Sequence, residues 1–171
     1  VSFLDALNGI NKGFYTWATV KLYYSVFYAF RASLAIDNVC AFHVGNFPFT
    51  VLAQPGAQPV SCTDRGTHKI VLKAFQRRNP AHPLMSQQID LKEAVDWLIG
   101  MRESANYGQA KFIEPDCGNA LEQVNKNGLR KSINAYVTEK SFPYVFDPDH
   151  AIVAYPLRTL QLIGAQLVTA A

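Results

Sequence analysis

The stretch from Phe14 to Ile36, FYTWATVKLYYSVFYAFRASLAI, constrains the fold more than any other part of the chain. It contains no proline, and Gly13 lies just outside it, so the stretch predicts roughly six turns of uninterrupted helix. One stripe follows the spacing of three and four residues that is typical of an inward-facing side. The stripe consists of Trp17, Val20, Tyr24, Phe27, Arg31 and Leu34, with Tyr28 and Ala35 beside it.

The opposite side of this helix is apolar as well. It carries Tyr23, Val26, Ala29 and Phe30. A helix that is apolar nearly all round is either wrapped by other helices or embedded in a membrane. Lys21 and Arg31 argue against a lipid-spanning segment, which needs about twenty consecutive residues with few or no charges. The stretch therefore predicts the buried central helix of a bundle that does not enter a membrane.

Length and composition fit one domain. The chain has 171 residues, of which 49% are apolar, and this is enough for a full-sized core. Lys and Arg exceed Asp and Glu by 16 to 13, and the formal charge of +3 permits an anionic partner such as RNA without requiring one. No secretory signal is visible at the N-terminus, so we expect a cytoplasmic protein.

The three cysteines, Cys40, Cys62 and Cys117, have no CxxC spacing. This pattern supports neither a zinc site nor a disulfide framework. Free thiols are the favoured interpretation, and a bridge between Cys40 and Cys62 is the alternative.

Two shorter elements flank the central helix. A leading helix is predicted from Phe3 to Asn8, with Ser2 as its N-cap and Gly9 as its end. After the central helix, 39–44 and 47–52 flank a Gly-Asn pair, which is a two-residue turn signal for a β-hairpin. The proline- and glycine-containing residues that follow predict a surface loop as far as Arg65. We expect this insertion, 39–65, to contact a partner or simply to decorate the bundle.

Three helical segments are predicted downstream of the loop. The first covers 68–78, with Thr67 as its cap, and the second begins at Ser86 or Asp90 and stops at Gly108. The third runs from Cys117 to about Lys140. A C-terminal extension, 143–171, adds an apolar stretch from Ala151 to Val168 that Pro156 interrupts. The whole pattern predicts a single mainly α domain over 1–171, an antiparallel four- to five-helix bundle with one inserted β-hairpin.

Motifs for common catalytic and cofactor sites are absent. The sequence has no GxGxxG, GxxxxGK[ST], GxSxG or HExxH, so it lacks the residues for dinucleotide binding, P-loop chemistry, an α/β-hydrolase nucleophile and a zincin. The four histidines, His43, His68, His82 and His150, occur in four separate segments. Surface or capping roles are favoured for each, and we predict no cofactor and no metal.

Polar groups are concentrated in the segment RESANYG, at the end of the second of these helices. Arg102 and Asn106 are four residues apart on one face, and Tyr107 follows, so a guanidinium, an amide and a phenol converge near one spot. An anion would satisfy these groups, and so would a network with other polar side chains. The candidate network residues are Tyr23, Tyr24 and Arg31. In the alternative interpretation, Arg102 braces the bundle through a carboxylate or backbone carbonyls.

Three motifs occur in a recognisable order. They are YYSVFYAFRASLAI in the central helix, GTHKIVLKAF in the next helix and RESANYG at the end of the one after it. This order resembles the HEPN (higher eukaryotes and prokaryotes nucleotide-binding) superfamily, most closely its small stand-alone prokaryotic type, over roughly Phe14 to Lys140. The resemblance implies an all-α bundle that forms homodimers and serves in toxin–antitoxin, antiphage defence or CRISPR systems.

The resemblance implies, first, a module that binds RNA or nucleotides, or that acts as a partner subunit in a prokaryotic defence or toxin–antitoxin system. A nucleotidyltransferase is one such protein partner. The residues that we expect to contact the ligand are Arg102, Glu103, Tyr107, Tyr24 and Arg31.

The second implication is a metal-independent endoribonuclease. The catalytic motif of the family is an Arg, usually followed by a polar residue, with a His four to six residues later. Arg102 and Glu103 match the first two positions, whereas the expected window contains no His. In this alternative Arg102 stabilises the phosphorane charge, Tyr107 or Asn106 orients the 2′-hydroxyl, and His68 supplies the base. A structural scaffold subunit is the third alternative.

Overall fold

The structure, a computed structural model, describes residues 1–63, 66–107 and 118–170. The helices of the described ranges are α1 (Ser2–Asn11), α2 (Tyr15–Ile36), α3 (Thr67–Arg78), α4 (Ala94–Tyr107), α5 (Gly118–Lys126), α6 (Leu129–Thr138) and α7 (Pro148–Ala170). The strands are β1 (Val39–Val44), β2 (Phe47–Leu52), β3 (Val60–Ser61), β4 (Gln88–Ile89) and β5 (Lys92–Glu93). The predicted mainly α class with an inserted hairpin is confirmed.

The predicted central helix is α2, which begins one residue later than expected. It packs against α1, α3, α4 and α7, and Phe30 stacks on Phe75 of α3 with the ring centres 3.9 Å apart and the planes at 7°. The helix is not wrapped all round, however. Trp17, Tyr28 and Arg31 are exposed, so the prediction that they belong to a covered stripe is wrong, and one aromatic face of α2 meets solvent.

The predicted hairpin is confirmed in both its bounds and its turn. Strands β1 and β2 pair antiparallel from Val39 opposite Leu52 to Val44 opposite Phe47. Gly45 adopts φ +59, a left-handed conformation that a two-residue hairpin turn requires. The following loop contains β3, which pairs antiparallel with β2. Because β3 has only two residues, it shows no alternation that the sequence pattern could reveal.

The leading helix is longer than predicted. Helix α1 continues through Gly9 to Asn11, and its N-cap is Val1, with no side-chain cap. Gly9 is buried where α1 meets α2, and a Cβ atom at this position would lie 3.5 Å from the Cβ of Ala18. Gly9 therefore allows close helix packing and does not end the helix.

The starts of α3 and α4 also differ from the prediction. Thr67 is the first residue of α3, and Gly66, with φ +90, occupies the N-cap position. Helix α4 begins at Ala94 because the preceding residues pair as β4 and β5. Asp90 and Leu91 form the turn between these strands, both with positive φ, and this two-residue turn does not permit the predicted helix start.

Two predictions near the C-terminus are wrong. The segment expected as one helix from Cys117 to Lys140 is divided into α5 and α6 at Gly128, whose φ is +84; Cys117 itself lies outside the described residues. Helix α7 continues through Pro156 without interruption. Pro156 cannot donate a backbone hydrogen bond, but the buried residues 151–155 pack tightly in the core and keep the helix intact.

Over Pro148–Thr169, α7 is long and apolar enough to cross a membrane, and within the described ranges it is the one helix that meets this test. Its first half lies in the protein core against α2. Burial in the core accounts for the apolar character of this first half, and 44% of the apolar window is buried inside the protein. The thiols of Cys40 and Cys62 are free, as favoured from the sequence.

Candidate functional site

Three helices each place one polar side chain on an inward face, and the three side chains meet. Arg102 follows Leu98 by four residues on α4, and Leu98 is fully buried. His68 precedes the buried Leu72 by four residues on α3. This spacing directs Arg102 and His68 into the bundle, beside α2.

The contribution of α2 is Tyr23, whose side chain is only 1% exposed. The guanidinium carbon of Arg102 lies 5.3 Å from the centre of the Tyr23 ring. The centre of the His68 ring lies 5.7 Å from that of Tyr23, and Arg102 is close enough for its charge to act on the imidazole. We call these three residues the Tyr23–His68–Arg102 cluster.

Two further rings of α2 enclose His68. The centre of the Phe27 ring is 4.6 Å from that of His68, and Tyr24 approaches the imidazole edge to face at 5.3 Å. Tyr24 is half-buried and also packs against Val20 and Ala105. The imidazole is therefore held in an aromatic cage that fixes its orientation.

The cluster contains buried polar atoms without partners. Among the residues that the structure describes, five buried side-chain nitrogen or oxygen atoms lack a hydrogen bond, and three of the five are the Tyr23 hydroxyl, His68 Nδ1 and Arg102 Nε. Native proteins satisfy nearly all their buried polar groups, and an unpartnered atom costs about 1 to 3 kcal/mol. Three such atoms at one place give the cluster hydrogen-bonding capacity that no described residue uses.

The environment of the cluster shifts two pKa values. Burial, followed by the nearby charge of Arg102, lowers the pKa of His68 below its usual 6.5. The imidazole is therefore neutral at pH 7, so one ring nitrogen can accept a proton. Burial raises the pKa of Tyr23 well above its usual 10, although Arg102 opposes this shift. The phenol consequently keeps its proton and acts as a hydrogen-bond donor.

His68 lies in the first turn of α3. No side chain of the described residues caps this helix end, and the first N–H groups of α3 lack the intrahelical partners that later residues have. The positive end of the helix dipole favours an anion at this position and disfavours a protonated imidazole. The helix end and Arg102 thus make the surroundings of His68 electropositive.

The other predicted site residues occupy different positions. Glu103 is exposed, and its carboxylate lies 3.6 Å from the Lys69 ammonium. It is close enough to Tyr23 for its negative charge to act on the phenol. Asn106 is exposed near the end of α4. Tyr107 is the last residue of α4, and its side chain lies outside the described part, as does Gly108. No contact between Asn106 and the cluster is seen within the described residues.

Arg31 is separated from the cluster along α2. It is exposed and lines a cavity of about 340 Å³ between α2, α3 and the base of the hairpin. Thr67 and Val71 of α3 line the same cavity. Thr67 of the cavity lining is the residue immediately before His68 in α3.

Sequence reasoning named Arg102, His68 and Tyr24 but missed two features of the site. Phe27 was assigned to the core, although its ring forms one wall of the His68 cage. The pair between Lys69 and Glu103 joins α3 to α4 beside the cluster. The helical spacing of His68 with Val71, Leu72 and Phe75 was a usable signal, because it places the imidazole on the inward face of α3.

Metal ligation is not supported within the described ranges, where no group of three or more His, Cys, Asp or Glu side chains is arranged to hold an ion. His82 caps the short 3₁₀ turn Pro83–Met85 by accepting a hydrogen bond from the Leu84 N–H at 3.2 Å. His150 Nδ1 lies 2.9 Å from the Tyr136 hydroxyl. Both histidines thus have structural partners, whereas His68 Nδ1 has none.

Comparison with known proteins gives no family assignment: no protein family model, no curated protein and no solved structure matches the chain significantly.

Proposed function

We propose that the chain is a module that binds RNA or nucleotides, with one phosphate group held by the Tyr23–His68–Arg102 cluster. The observation that carries the proposal is the group of three buried polar atoms on these side chains that have no hydrogen-bond partner in the described part of the chain. A phosphate supplies acceptor oxygens to a guanidinium, a phenol and an imidazole N–H together.

The electrostatics of the cluster favour an anion over a neutral ligand. Arg102 is positively charged at all relevant pH values, and the uncapped start of α3 adds a partial positive charge. Glu103 is the nearest acidic residue along α4, and Lys69 neutralises it. A phosphate therefore enters a site whose net character is positive.

A comparison with Arg158 argues against a purely structural role for Arg102. The Nη2 atom of Arg158 donates to the backbone carbonyl of Tyr136 at 3.2 Å and also to that of Glu139. Arg158 thereby closes the end of α6 and acts as a brace. Arg102 has no ion pair with a carboxylate of the described residues, and its principal neighbour is the face of an aromatic ring.

The biological setting that we propose depends on the resemblance to the HEPN superfamily alone. We place the module in the cytoplasm as a homodimer, or with a protein partner such as a nucleotidyltransferase or another subunit of a prokaryotic defence or toxin–antitoxin system. Light scattering at micromolar concentration tests the dimer directly, and a purely monomeric mass would contradict it.

A metal-independent endoribonuclease is the second candidate, and the position of His68 beside Arg102 specifically favours it. With its lowered pKa, the neutral imidazole accepts the proton of a ribose 2′-hydroxyl while that oxygen attacks the adjacent phosphorus. Arg102 balances the charge of the phosphorane. The P–O5′ bond then breaks, and the 5′-oxygen takes up the proton, leaving a 2′,3′-cyclic phosphate.

Fluorescence anisotropy with a labelled single-stranded RNA, and calorimetry with adenosine monophosphate, test the binding proposal. We expect Arg102→Gln to weaken both interactions about tenfold or more, because a charge-assisted hydrogen bond contributes about 1.5 to 3 kcal/mol. Arg130→Gln removes the same charge from an exposed position on α6 and should have much less effect. Equal effects of the two variants would assign the binding to net charge and would exclude the cluster.

A cleavage assay separates the two candidates. Wild-type protein is incubated with a mixed RNA pool in EDTA and, separately, in magnesium. The ribonuclease would be established if the wild type cleaved RNA in EDTA and if each of three substitutions reduced that cleavage. The three substitutions are Arg102→Ala, His68→Ala and Tyr107→Phe. Absence of cleavage under both conditions, with RNA binding retained, would leave the binding module as the function of the isolated chain.

A further inference from the structure

One face of α2 carries aromatic rings interspersed with cations and is left open to solvent. We define the α2 stripe as Trp17, Lys21, Tyr24, Tyr28 and Arg31, which follow one another at intervals of three or four residues. The side chains of Trp17 and Tyr28 are 59% and 53% exposed. A run of exposed rings along one helix face, in contrast to a single exposed ring, is a feature of interaction surfaces.

We propose that the α2 stripe is a track for single-stranded RNA that leads into the Tyr23–His68–Arg102 cluster. Bases stack on the rings of the stripe, while the phosphates between them meet its cations. This inference rests on the proposed phosphate site and adds the class of ligand, namely an unpaired strand of several nucleotides instead of a single nucleotide.

The rings and cations of the stripe are arranged in close succession. Tyr24 and Tyr28 lie nearly parallel, with ring centres 5.9 Å apart and planes at 28°. The Lys21 ammonium lies 5.3 Å from the centre of the Trp17 ring and 3.6 Å from the Asp5 carboxylate. Arg31 is exposed at the opposite end. Rings that alternate with cations are the elements of single-strand platforms, because every base has a π-face and every linkage has a charge.

The stripe and the cluster share a boundary residue. Tyr24 belongs to the stripe, and its ring centre is 5.5 Å from that of Tyr23 and 5.3 Å from that of His68. At a rise of 1.5 Å per residue, the stripe from Trp17 to Arg31 is about 21 Å long. A strand that lies on the stripe therefore passes over Tyr24, which borders the cluster.

Charge complementarity favours a polyanion over a second copy of the chain. None of the five stripe positions holds an acidic residue, and Asp5 of α1 is the carboxylate that pairs with Lys21. A symmetric dimer formed through this face would bury Arg31 of both copies without a carboxylate from either stripe, and burying an unpaired charge is unfavourable. A polyanion, in contrast, is attracted by these cations and binds more tightly because of them. A duplex offers no exposed base faces to the rings, so an unpaired strand is the matching ligand.

The test uses the full chain with labelled oligouridylates of about four, eight and twelve nucleotides, a range drawn from known single-strand site sizes, together with uridine monophosphate and an RNA duplex. Two matched pairs of variants separate stacking from apolar contact. Tyr28→Phe and Trp17→Phe keep a ring at the surface, whereas Tyr28→Leu and Trp17→Leu keep only apolar bulk.

We expect affinity to rise with oligonucleotide length and the duplex to bind more weakly than the single strand. The leucine variants should weaken binding of the longest oligonucleotide about fivefold or more, because one base–aromatic stack contributes at least that factor. The phenylalanine variants should remain within about twofold of wild type. Binding of uridine monophosphate should be unchanged in all four variants and should still require Arg102.

The remaining outcomes overturn the inference in distinguishable ways. The track would be rejected if affinity did not depend on oligonucleotide length, or if the leucine and phenylalanine variants had equal effects. If uridine monophosphate binding still depended on Arg102 in that case, the phosphate site would be retained. No binding of any nucleotide or oligonucleotide would reject both. If light scattering showed a dimer, and Trp17→Glu converted it to a monomer without weakening RNA binding, the stripe would be assigned to contact with a second copy of the chain.

Discussion

The guanidinium carbon of Arg102 lies 5.3 Å from the centre of the Tyr23 ring, deep between α2 and α4. This cation–π contact does not satisfy the Arg102 Nε atom or the Tyr23 hydroxyl, which are both buried without a hydrogen-bond partner among the described residues. Both atoms therefore retain unused hydrogen-bonding capacity among the described residues.

Arg102 and Arg158 should differ in their effect on folding. Arg158→Gln removes charged hydrogen bonds to the backbone at the end of α6, so we expect a loss of about 1.5 to 3 kcal/mol in the free energy of unfolding. Arg102→Gln removes a cation–π contact, worth about 0.5 to 2 kcal/mol. Urea denaturation of both variants measures the difference. A larger loss for Arg102→Gln would identify Arg102 as the brace.

Tyr23→Phe should separate stability from binding. The substitution removes a buried hydroxyl that has no partner among the described residues and leaves the ring in place, so we expect the free energy of unfolding to stay the same or to rise by about 1 kcal/mol. Affinity for RNA should fall, because a phosphate oxygen loses its donor. Thermal melts and anisotropy on the same samples test both effects. A clear loss of stability would show that the hydroxyl has a structural partner.

Stability should decrease in mild acid. The pKa values of His68 and His82 are lowered by burial, and Arg102 lowers that of His68 further. The unfolded chain therefore binds protons at a higher pH than the folded protein does. The two neutral histidines therefore contribute fully to the stability of the folded protein above about pH 6.5. This contribution is lost as the pH falls through the pKa values that they have in the folded state.

Melting temperatures between about pH 5 and 8 measure this effect. His68→Gln should reduce the acid-dependent loss, whereas His43→Gln, at an exposed position of β1, should leave it unchanged. An acid-dependent loss of equal size in His68→Gln and wild type would mean that His68 does not titrate with a lowered pKa.

The stacked contact between Phe30 of α2 and Phe75 of α3 should contribute strongly to the free energy of unfolding. Phe75 is fully buried and stacks on Phe30, so Phe75→Ala should cost about 3 to 5 kcal/mol. Phe47→Ala, at a ring that is 70% exposed on the hairpin, should change stability by less than about 0.5 kcal/mol. Chemical denaturation compares the two. Similar costs would contradict the packing of α3 on α2.

Periodicity and turn chemistry predicted the elements whose own sequence decides their conformation. The uninterrupted apolar stretch identified α2, and alternation around a Gly-Asn turn identified β1 and β2. Long-range packing decided the rest. Gly9 stays helical because α1 lies close to Ala18, and Pro156 stays helical because the core holds the first half of α7. Neither contact is visible in a local pattern, since the partner lies on another helix.

The candidate site was only partly predictable for the same reason. The polar segment at the end of α4 identified Arg102, and its need for partners suggested Tyr23, Tyr24 and Arg31. The first two do lie together, because α2 and α4 pack at that level. Arg31 lies about two turns, or about 12 Å, from Tyr23 along α2, too far to join them. The spacing within α3 places the imidazole of His68 on the inward face. Its contact with Tyr23 depends on how α3 packs against α2, which that spacing does not give.

Nuclear magnetic resonance of the imidazole of His68 tests the central claim most directly, because the four histidines of the chain report separately and His43 serves as an internal control. Uniformly labelled protein is titrated with adenosine monophosphate. We predict a saturable shift of the His68 ring signals and a rise in its pKa, caused by the bound negative charge, with both changes lost in Arg102→Gln and absent at His43. If the nucleotide binds while the ring signals and the pKa of His68 stay constant, it binds elsewhere. That result would contradict the claim that the Tyr23–His68–Arg102 cluster holds a phosphate.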